Sequence, residues 1–349
     1  MYQSLDETEY RQSWQVLNQN LQRIEIQHGD LGRALDALYE HQIGTGFVRD
    51  DLSKIERYSI AHPDDSNNVF LVQFNPGRAQ RFGGRGRKSP PPGQAAEHDG
   101  CFLCPGNVLW QQDGAELGYD IELNERRYIA WMNPYPLAPA HAIIASPTHR
   151  PQAWASNGDT GDMLSLADLV ADLLGLVGRS PGYVGFYNGV DAGASIPGHL
   201  HYHAFRRPSP DARFPIERVT EASAAPSEIF TEGYPVNFAY WHGSQAEVLP
   251  RAVAWLSAWS TRNEARVSDL TANIIAVSEE GSDEVGLYFV PRSRTATSNG
   301  QSKPLIGGLE MLGELVFCSA DEKRRIETGE IDYFALERIL ANVSMPLVN

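Results

Sequence analysis

The stretch Ser195-Ile196-Pro197-Gly198-His199-Leu200-His201-Tyr202-His203-Ala204-Phe205 places three of the chain's ten histidines within five positions. On an extended strand side chains alternate, so His199, His201 and His203 share one face while Leu200, Tyr202 and Ala204 share the other. Buried imidazoles each need a polar partner. Such a row suits one of two chemistries: a metal held by all three rings, or one nucleophilic imidazole steadied by its neighbours. The segment before it, Asn188-Gly189-Val190-Asp191-Ala192-Gly193-Ala194-Ser195, is a turn of mostly small residues. Its amides and the Ser195 hydroxyl can cradle phosphate oxygens, which favours attack on phosphorus. Cys101 and Cys104 add a Cys-x-x-Cys pair. Taken alone, that pair reads as half of a metal site, as a redox couple or as incidental.

These residues need a scaffold, and the chain is long enough to supply one. Its 349 residues are 42% hydrophobic and 21% charged, which fits two globular domains or one large duplicated one. Asp and Glu total 44 against 29 Lys and Arg, a formal net charge of -15. That balance argues against a nucleic-acid partner, which needs a basic footprint, and leaves room for small phosphorylated ligands held by a few local groups. Three cysteines do not make a secreted disulfide framework. The N-terminus lacks a basic region followed by an apolar run, and the most apolar segment, residues 163–177, is interrupted by Asp168 and Asp172. The expectation is a soluble cytoplasmic protein without a membrane partner.

Periodicity predicts helices over residues 6–42, through Tyr10, Trp14, Leu17, Leu21 and Ile24 and then Leu31, Leu35 and Leu38. Strands are predicted over 69–74, 128–132, 142–145, 184–187 and 200–205, with a helix carrying Leu166, Leu169, Val170, Leu173, Leu174 and Val177 between them. Beyond Pro208-Ser209-Pro210, helices are expected over 250–264, 319–328 and 332–341, and strands over 273–277 and 285–290. No sequence repeat is visible. Residues 76–100 are rich in Gly, Pro and Arg. They read as a surface loop, or as a basic lid over a phosphorylated substrate.

His-Leu-His-Tyr-His-Ala-Phe, residues 199–205, resembles the motif of the histidine-triad superfamily, and residues 133–152 resemble the strand-turn-strand that precedes it. Cys101-Phe102-Leu103-Cys104-Pro105-Gly106-Asn107 is similar to the metal-binding start of the galactose-1-phosphate uridylyltransferase branch, and residues 306–314 resemble its hexose-contacting segment. Residues 74–78 and 214–217 look closer to GDP-L-galactose phosphorylase relatives. The resemblance spans roughly residues 69–320. It implies an α+β fold with a histidine-triad-like antiparallel sheet, flanking helices and two tandem halves. The matching division is a helical region over 1–68, a catalytic domain with the metal site over 69–210, and a degenerate second domain over 211–349 that contributes to substrate recognition.

By the same resemblance, His201 would be the nucleophile that forms a covalent nucleotidyl-histidine. His203 would assist the leaving group or bind a phosphate oxygen. Cys101, Cys104, His149 and His199 would hold one structural Zn²⁺. Arg78, Asn133, Asn188, Ser195, Arg206 and Glu310 would contact substrate. Two departures stand out: uridylyltransferases carry Gln at the position of His203, and Gly198 adds a residue before His199. The implied activity is nucleotidyl transfer or phosphorolysis. Its substrate would be a nucleoside diphosphate sugar or a dinucleoside polyphosphate, and its acceptor phosphate or a sugar phosphate. Alternatives are a hydrolase releasing nucleoside monophosphate, a non-catalytic nucleotide binder, and a three-histidine metal hydrolase. Members of the superfamily often form homodimers, and that option stays open.

Overall fold

The computed structural model describes residues 6–49, 52–80, 89–155, 163–223, 229–294 and 306–347. The run Gly83–Lys88, the densest part of the expected basic lid, lies outside them. Two N-terminal helices open the chain: α1 (Glu7–His28) and α2 (Leu31–Gly44). Asp6 caps α1 through a reciprocal bond pair with Glu9, and Gly29 ends it in the left-handed region at φ 62°. A hairpin of β1 (Glu56–His62) and β2 (Asp65–Phe74) follows. The domain boundary drawn from sequence between 68 and 69 falls inside β2.

Next come α3 (Pro105–Gln111), β3 (Tyr119–Leu123), β4 (Arg126–Met132), β5 (Ala142–Ala145) and the short parallel pair β6 (Trp154–Ala155) and β7 (Leu164–Ser165). Helix α4 (Leu166–Gly178) then leads to β8 (Tyr183–Asn188) and β9 (His201–Arg206). The remaining elements are α5 (Pro215–Ala222), β10 (Ile229–Phe230), β11 (Phe238–Ser244), α6 (Gln245–Arg262), β12 (Leu270–Ser278), β13 (Glu284–Ser293), α7 (Gly308–Met311), β14 (Glu314–Phe317), α8 (Ala320–Glu327) and α9 (Tyr333–Ala341).

Nine strands form one antiparallel sheet in the order β10-β11-β13-β12-β8-β9-β5-β4-β3. The junction of the two sequence regions is an ordinary antiparallel pair, β8 with β12, with Phe186 opposite Ile275 and Asn188 opposite Asn273. A second, three-stranded sheet has the order β1-β2-β14, with β14 parallel to β2. The fold is therefore α+β, a large antiparallel sheet with flanking helices.

Strand alternation gives the large sheet two distinct faces. One face carries Tyr202, Ala204, Ile144, Ile274, Leu287 and Trp241, which pack in one core under α1, α2, α4 and α6. The opposite face carries Phe186, Phe205, Ile275 and Tyr288, which pack against the small sheet and the C-terminal helices. Farther along that face a smaller cluster joins Cys101, Leu103, Cys104, Ile129, Trp131 and Ala145. The candidate site lies on this second face, between the two clusters. A single row of cross-strand neighbours crosses it: Trp131, Ile143, His203, Phe186, Ile275, Tyr288 and Tyr240.

Candidate active site

The row of histidines divides. Strand β9 begins at His201, so His199 sits in the connection ahead of it. There its Nε2–H donates to the Ser146 carbonyl at 2.7 Å, which leaves Nδ1 unprotonated in the neutral ring and facing sulfur. Nδ1 lies 3.4 Å from Cys101 Sγ and 3.7 Å from Cys104 Sγ. His149 Nδ1 lies 3.3 Å from Cys104 Sγ. One ligand atom from each of Cys101, Cys104, His149 and His199 falls within 4.8 Å of all the others. Among the described residues this is the only such cluster, and it could hold a metal ion. Two thiolates with two imidazoles suit a tetrahedral ion of zinc-like softness. The Cys104 and His199 bonds pull the Cys101 thiol well below its ordinary value, while the bond to Cys101 and burial push Cys104 up.

His201 is fully buried, and its geometry fixes its tautomer. Nδ1 lies 2.7 Å from the His199 carbonyl. A carbonyl only accepts, so Nδ1 carries the proton and Nε2 keeps its lone pair. Burial pulls the ring's pKa down to about 4, so it is neutral at physiological pH. Gln152 clamps the start of the strand. Its Oε1 accepts from the His201 amide at 2.7 Å, and its Nε2 donates to the carbonyls of His201 and Asn188.

His203 stacks on Phe186 with ring centres 4.9 Å apart, and its ring centre lies 5.1 Å from that of His201. Its orientation depends on His141, a fully buried ring 3.1 Å away. The Leu137 amide donates to His141 Nδ1 at 3.1 Å. In the neutral ring the His141 proton must therefore sit on Nε2, which donates to His203 Nδ1. Neutral His203 then carries its own proton on Nε2, as a donor.

His201 and His203 line a cavity of about 300 Å³ with apolar walls including Phe47, Phe102, Trp131 and Ile143. Arg49, Arg78, Asn133 and Ser195 supply polar groups, and Glu116 contributes a carboxyl that burial pushes well above its ordinary value. Asn133 Oδ1 also closes a turn by accepting from the Tyr135 amide. A smaller compartment of about 50 Å³ adjoins the cavity, sharing Arg78, Ser195 and His203 and adding Asn188, Gly307 and Glu310. Gly193 and Gly307 meet there, and a Cβ on Gly193 would lie 2.4 Å from the Gly307 Cα. Glu310 is 8% exposed, and its carboxylate accepts from the Gly307 amide at 2.8 Å.

Arg206 corrects the sequence reading. It follows His203 by three residues, so alternation sends it to the opposite face, where it pairs with Asp36 and lies over the Tyr183 ring. Arg207 is also occupied, in a buried pair with Glu217. The other expected positions converge: Arg78, Asn133, Asn188, Ser195 and Glu310 all line one or both compartments. His141, Gln152 and Glu116 were not singled out by sequence. The only signal was the place of His141 and Gln152 inside the strand-turn-strand segment.

Residues 38–206 match a family model described as a domain of unknown function, DUF4922. A search of curated protein sequences finds no match. In three dimensions the chain is similar to crystal structures of yeast Ap4A phosphorylase Apa2. The complex with AMP superposes with a TM-score of 0.53 at 17% identity, covering 88% of this chain and 97% of that one. A second structure of that enzyme gives 0.55 at 16% identity, with 88% and 94% covered. Its complex with Ap4A gives 0.55 at 15% identity, with 89% and 97% covered. At these identities the likeness is one of fold. It agrees with the histidine-triad-like α+β architecture and extends over nearly the whole of both chains. Among the described residues, no helix is long and apolar enough to cross a membrane.

Proposed function

We propose that the chain is a nucleotidyl-transferring enzyme, phosphorylase-like in the galactose-1-phosphate uridylyltransferase and GDP-L-galactose phosphorylase branch of the histidine-triad superfamily. Its substrate is a dinucleoside polyphosphate or a nucleoside diphosphate sugar. The observation that carries this reading is His201: a neutral imidazole whose Nε2 lone pair is left available by the bond from Nδ1 to the His199 carbonyl, on the wall of a nucleotide-sized cavity. The yeast enzyme of similar fold is described with AMP and with Ap4A, which adds weight to the dinucleoside polyphosphate. The 69–210 region supplies the nucleophile, and the 211–349 region supplies Glu310 toward the group attached to the nucleotide.

In the first half-reaction, His201 Nε2 forms a P–N bond to the α-phosphorus as the P–O bond to the leaving phosphate breaks. His203 Nε2–H donates to the oxygen that departs. In the second, an oxygen of inorganic phosphate or of a sugar phosphate attacks phosphorus and the P–N bond breaks, which returns the free imidazole. Arg78, Asn188 and Ser195 hold phosphate oxygens, and Asn133 contacts the nucleoside. Cys101, Cys104, His149 and His199 would hold a structural Zn²⁺, which would pin the Cys101 loop and the His149 turn to the start of the histidine strand.

Intact-mass spectrometry after exposure to dinucleoside polyphosphates and nucleotide sugars tests the reading. The expected result is an added nucleoside monophosphate mass that is absent from His201→Ala. No adduct with any substrate, in a protein that still binds nucleotides, would instead support a non-catalytic binder. The presence of His rather than Gln at 203 favours a second reading, hydrolysis with water as acceptor. Product analysis with and without inorganic phosphate separates the two: phosphorolysis requires the phosphate, and hydrolysis yields nucleoside monophosphate without it.

A further inference from the structure

The small compartment beside His203 is backed by three buried polar side chains from three adjacent strands: Asn188 on β8, Asn273 on β12 and Arg292 on β13. They are 5%, 0% and 1% exposed. Asn188 and Asn273 are direct cross-strand partners, and Arg292 lies on the same face, two residue pairs further along, opposite Thr271. Their bonds form a chain with one direction. Arg292 Nη1 donates to Asn273 Oδ1 at 2.7 Å. Asn273 Nδ2 donates to Asn188 Oδ1 at 2.8 Å and to the Ala192 carbonyl at 2.7 Å. Asn188 Oδ1 also accepts from the Gly308 amide at 2.8 Å.

None of these orientations can be reversed. A guanidinium and a backbone amide only donate, and a carbonyl only accepts. The Asn273 amide must therefore put oxygen toward Arg292 and nitrogen toward Ala192. The Asn188 amide must put its oxygen toward Gly308 and Asn273. Asn188 Nδ2 is left on the side of Gly307, where both line the compartment. Turned the other way, Asn188 would present an oxygen to an incoming phosphate and repel it.

We propose that Arg292 and Asn273 are positioning residues for the anion subsite: they lock Asn188 with its Nδ2–H donors aimed at a phosphate oxygen of the substrate. The inference rests on the reading above, in which Asn188 binds phosphate, and it adds residues that the second sequence region contributes to the chemistry of the first. A buried cation at the head of the chain also polarises the two amides in series, which strengthens the terminal donor.

The probes are AMP, GMP, UMP and CMP, with the matching nucleosides as phosphate-free controls, measured by isothermal titration calorimetry on the full chain. Asn188→Asp removes the terminal donor. Asn273→Asp is isosteric and still accepts from Arg292, but it turns an acceptor instead of a donor toward Asn188 Oδ1, so the two oxygens repel and the Gly308 amide is left as the only bond holding the Asn188 oxygen in place. Both variants are expected to weaken nucleotide binding by about 10-fold or more while nucleoside affinity stays near wild type; the melting temperature stays near wild type for Asn188→Asp and falls for Asn273→Asp, whose carboxylate faces the Ala192 carbonyl. Arg292→Lys, which keeps a cationic donor, is expected to retain more nucleotide affinity than Arg292→Met. If Asn188→Asp weakens nucleotide binding and Asn273→Asp does not, the relay is overturned and the phosphate-site reading survives. If Asn188→Asp has no effect, or wild type binds none of the nucleotides, the reading fails and the relay with it. Equal losses for nucleotide and nucleoside would reduce the three residues to structural support and overturn the proposal.

Discussion

The two ends of the large sheet present the same face to two cavities of different character. One row of neighbours runs from Trp131 through His203 to Tyr288 and Tyr240, so the backbone platform is shared. At the β4–β9 end the row meets His141, His201 and His203 around a cavity of about 300 Å³. At the β11–β13 end the cavity is larger, about 560 Å³, and is lined by Tyr240, Tyr288, His242 and several glutamates. Yet Glu221 and Glu279 are engaged by Arg213, and Thr220 Oγ1 lies 3.2 Å from the Tyr288 hydroxyl. Under the proposed function, cavity size therefore does not locate the chemistry. What separates the ends is a ring with a defined lone pair, oriented by a carbonyl and set beside a second ring whose proton position is also dictated.

The most severe way to break this contrast is His201→Ala. Turnover is expected to fall by roughly 10³-fold or more, with far-UV circular dichroism and metal content unchanged; activity retained within a few-fold would remove His201 from the mechanism. Next in size is Cys104→Ala. Elemental analysis of wild type is expected to find about one zinc per chain at the four-ligand site. The variant should lose it, together with about 4 kcal/mol or more of unfolding free energy. A metal-free wild type of equal stability would reject the zinc assignment.

His141→Phe sharpens the comparison at intermediate size. It removes the donor that sets the His203 tautomer without touching the nucleophile. An effect of about 10²-fold on kcat is expected, with KM nearly unchanged. A change confined to KM would instead make His141 a binding residue.

The β4–β9 end was largely legible in sequence because its signals are local. Alternation placed His201 and His203 on one face, and the small-residue turn with the Cys-x-x-Cys pair pointed to phosphate and metal. Alternation also decides against Arg206, since an odd step from His203 leads to the helix-covered face. The relations that finish the site were not legible. The contacts of His141 with His203, of Gln152 with His201 and of Arg292 with Asn273 are set by strand register, which one sequence leaves open. Strand β1 escaped notice because its faces alternate only between half-buried and exposed. Helix α6 starts five residues ahead of the expected 250: Glu247 accepts from the Ser244 amide and hydroxyl, and this cap nucleates the helix while Pro250 is absorbed within it.

A pH series gives a smaller effect with a fixed sign. Burial lowers the His201 pKa from its ordinary value to about 4. The unfolded chain therefore binds a proton at this position more readily than the folded one between about pH 6.5 and 4. The neutral-ring contribution to stability is complete above that window and declines as pH falls through it. Chemical denaturation at pH 7 and pH 5 should show wild type losing more stability than His201→Asn. Equal losses would mean that the ring is not held neutral by burial.

The smallest expected effect tests the other end of the sheet. His242 lies 3.7 Å from Glu284, with both side chains more than half exposed, so their pairing is worth little. It also lacks what orients the rings of the β4–β9 end: among the described residues, no carbonyl at hydrogen-bond distance fixes a tautomer, and no second imidazole stands beside it. His242→Ala should therefore change stability by no more than about 0.5 kcal/mol and leave turnover and nucleotide affinity at wild-type values. A loss of turnover beyond a few-fold would mean that the second cavity takes part in the reaction, and the contrast between the two ends would have to be redrawn around a shared substrate.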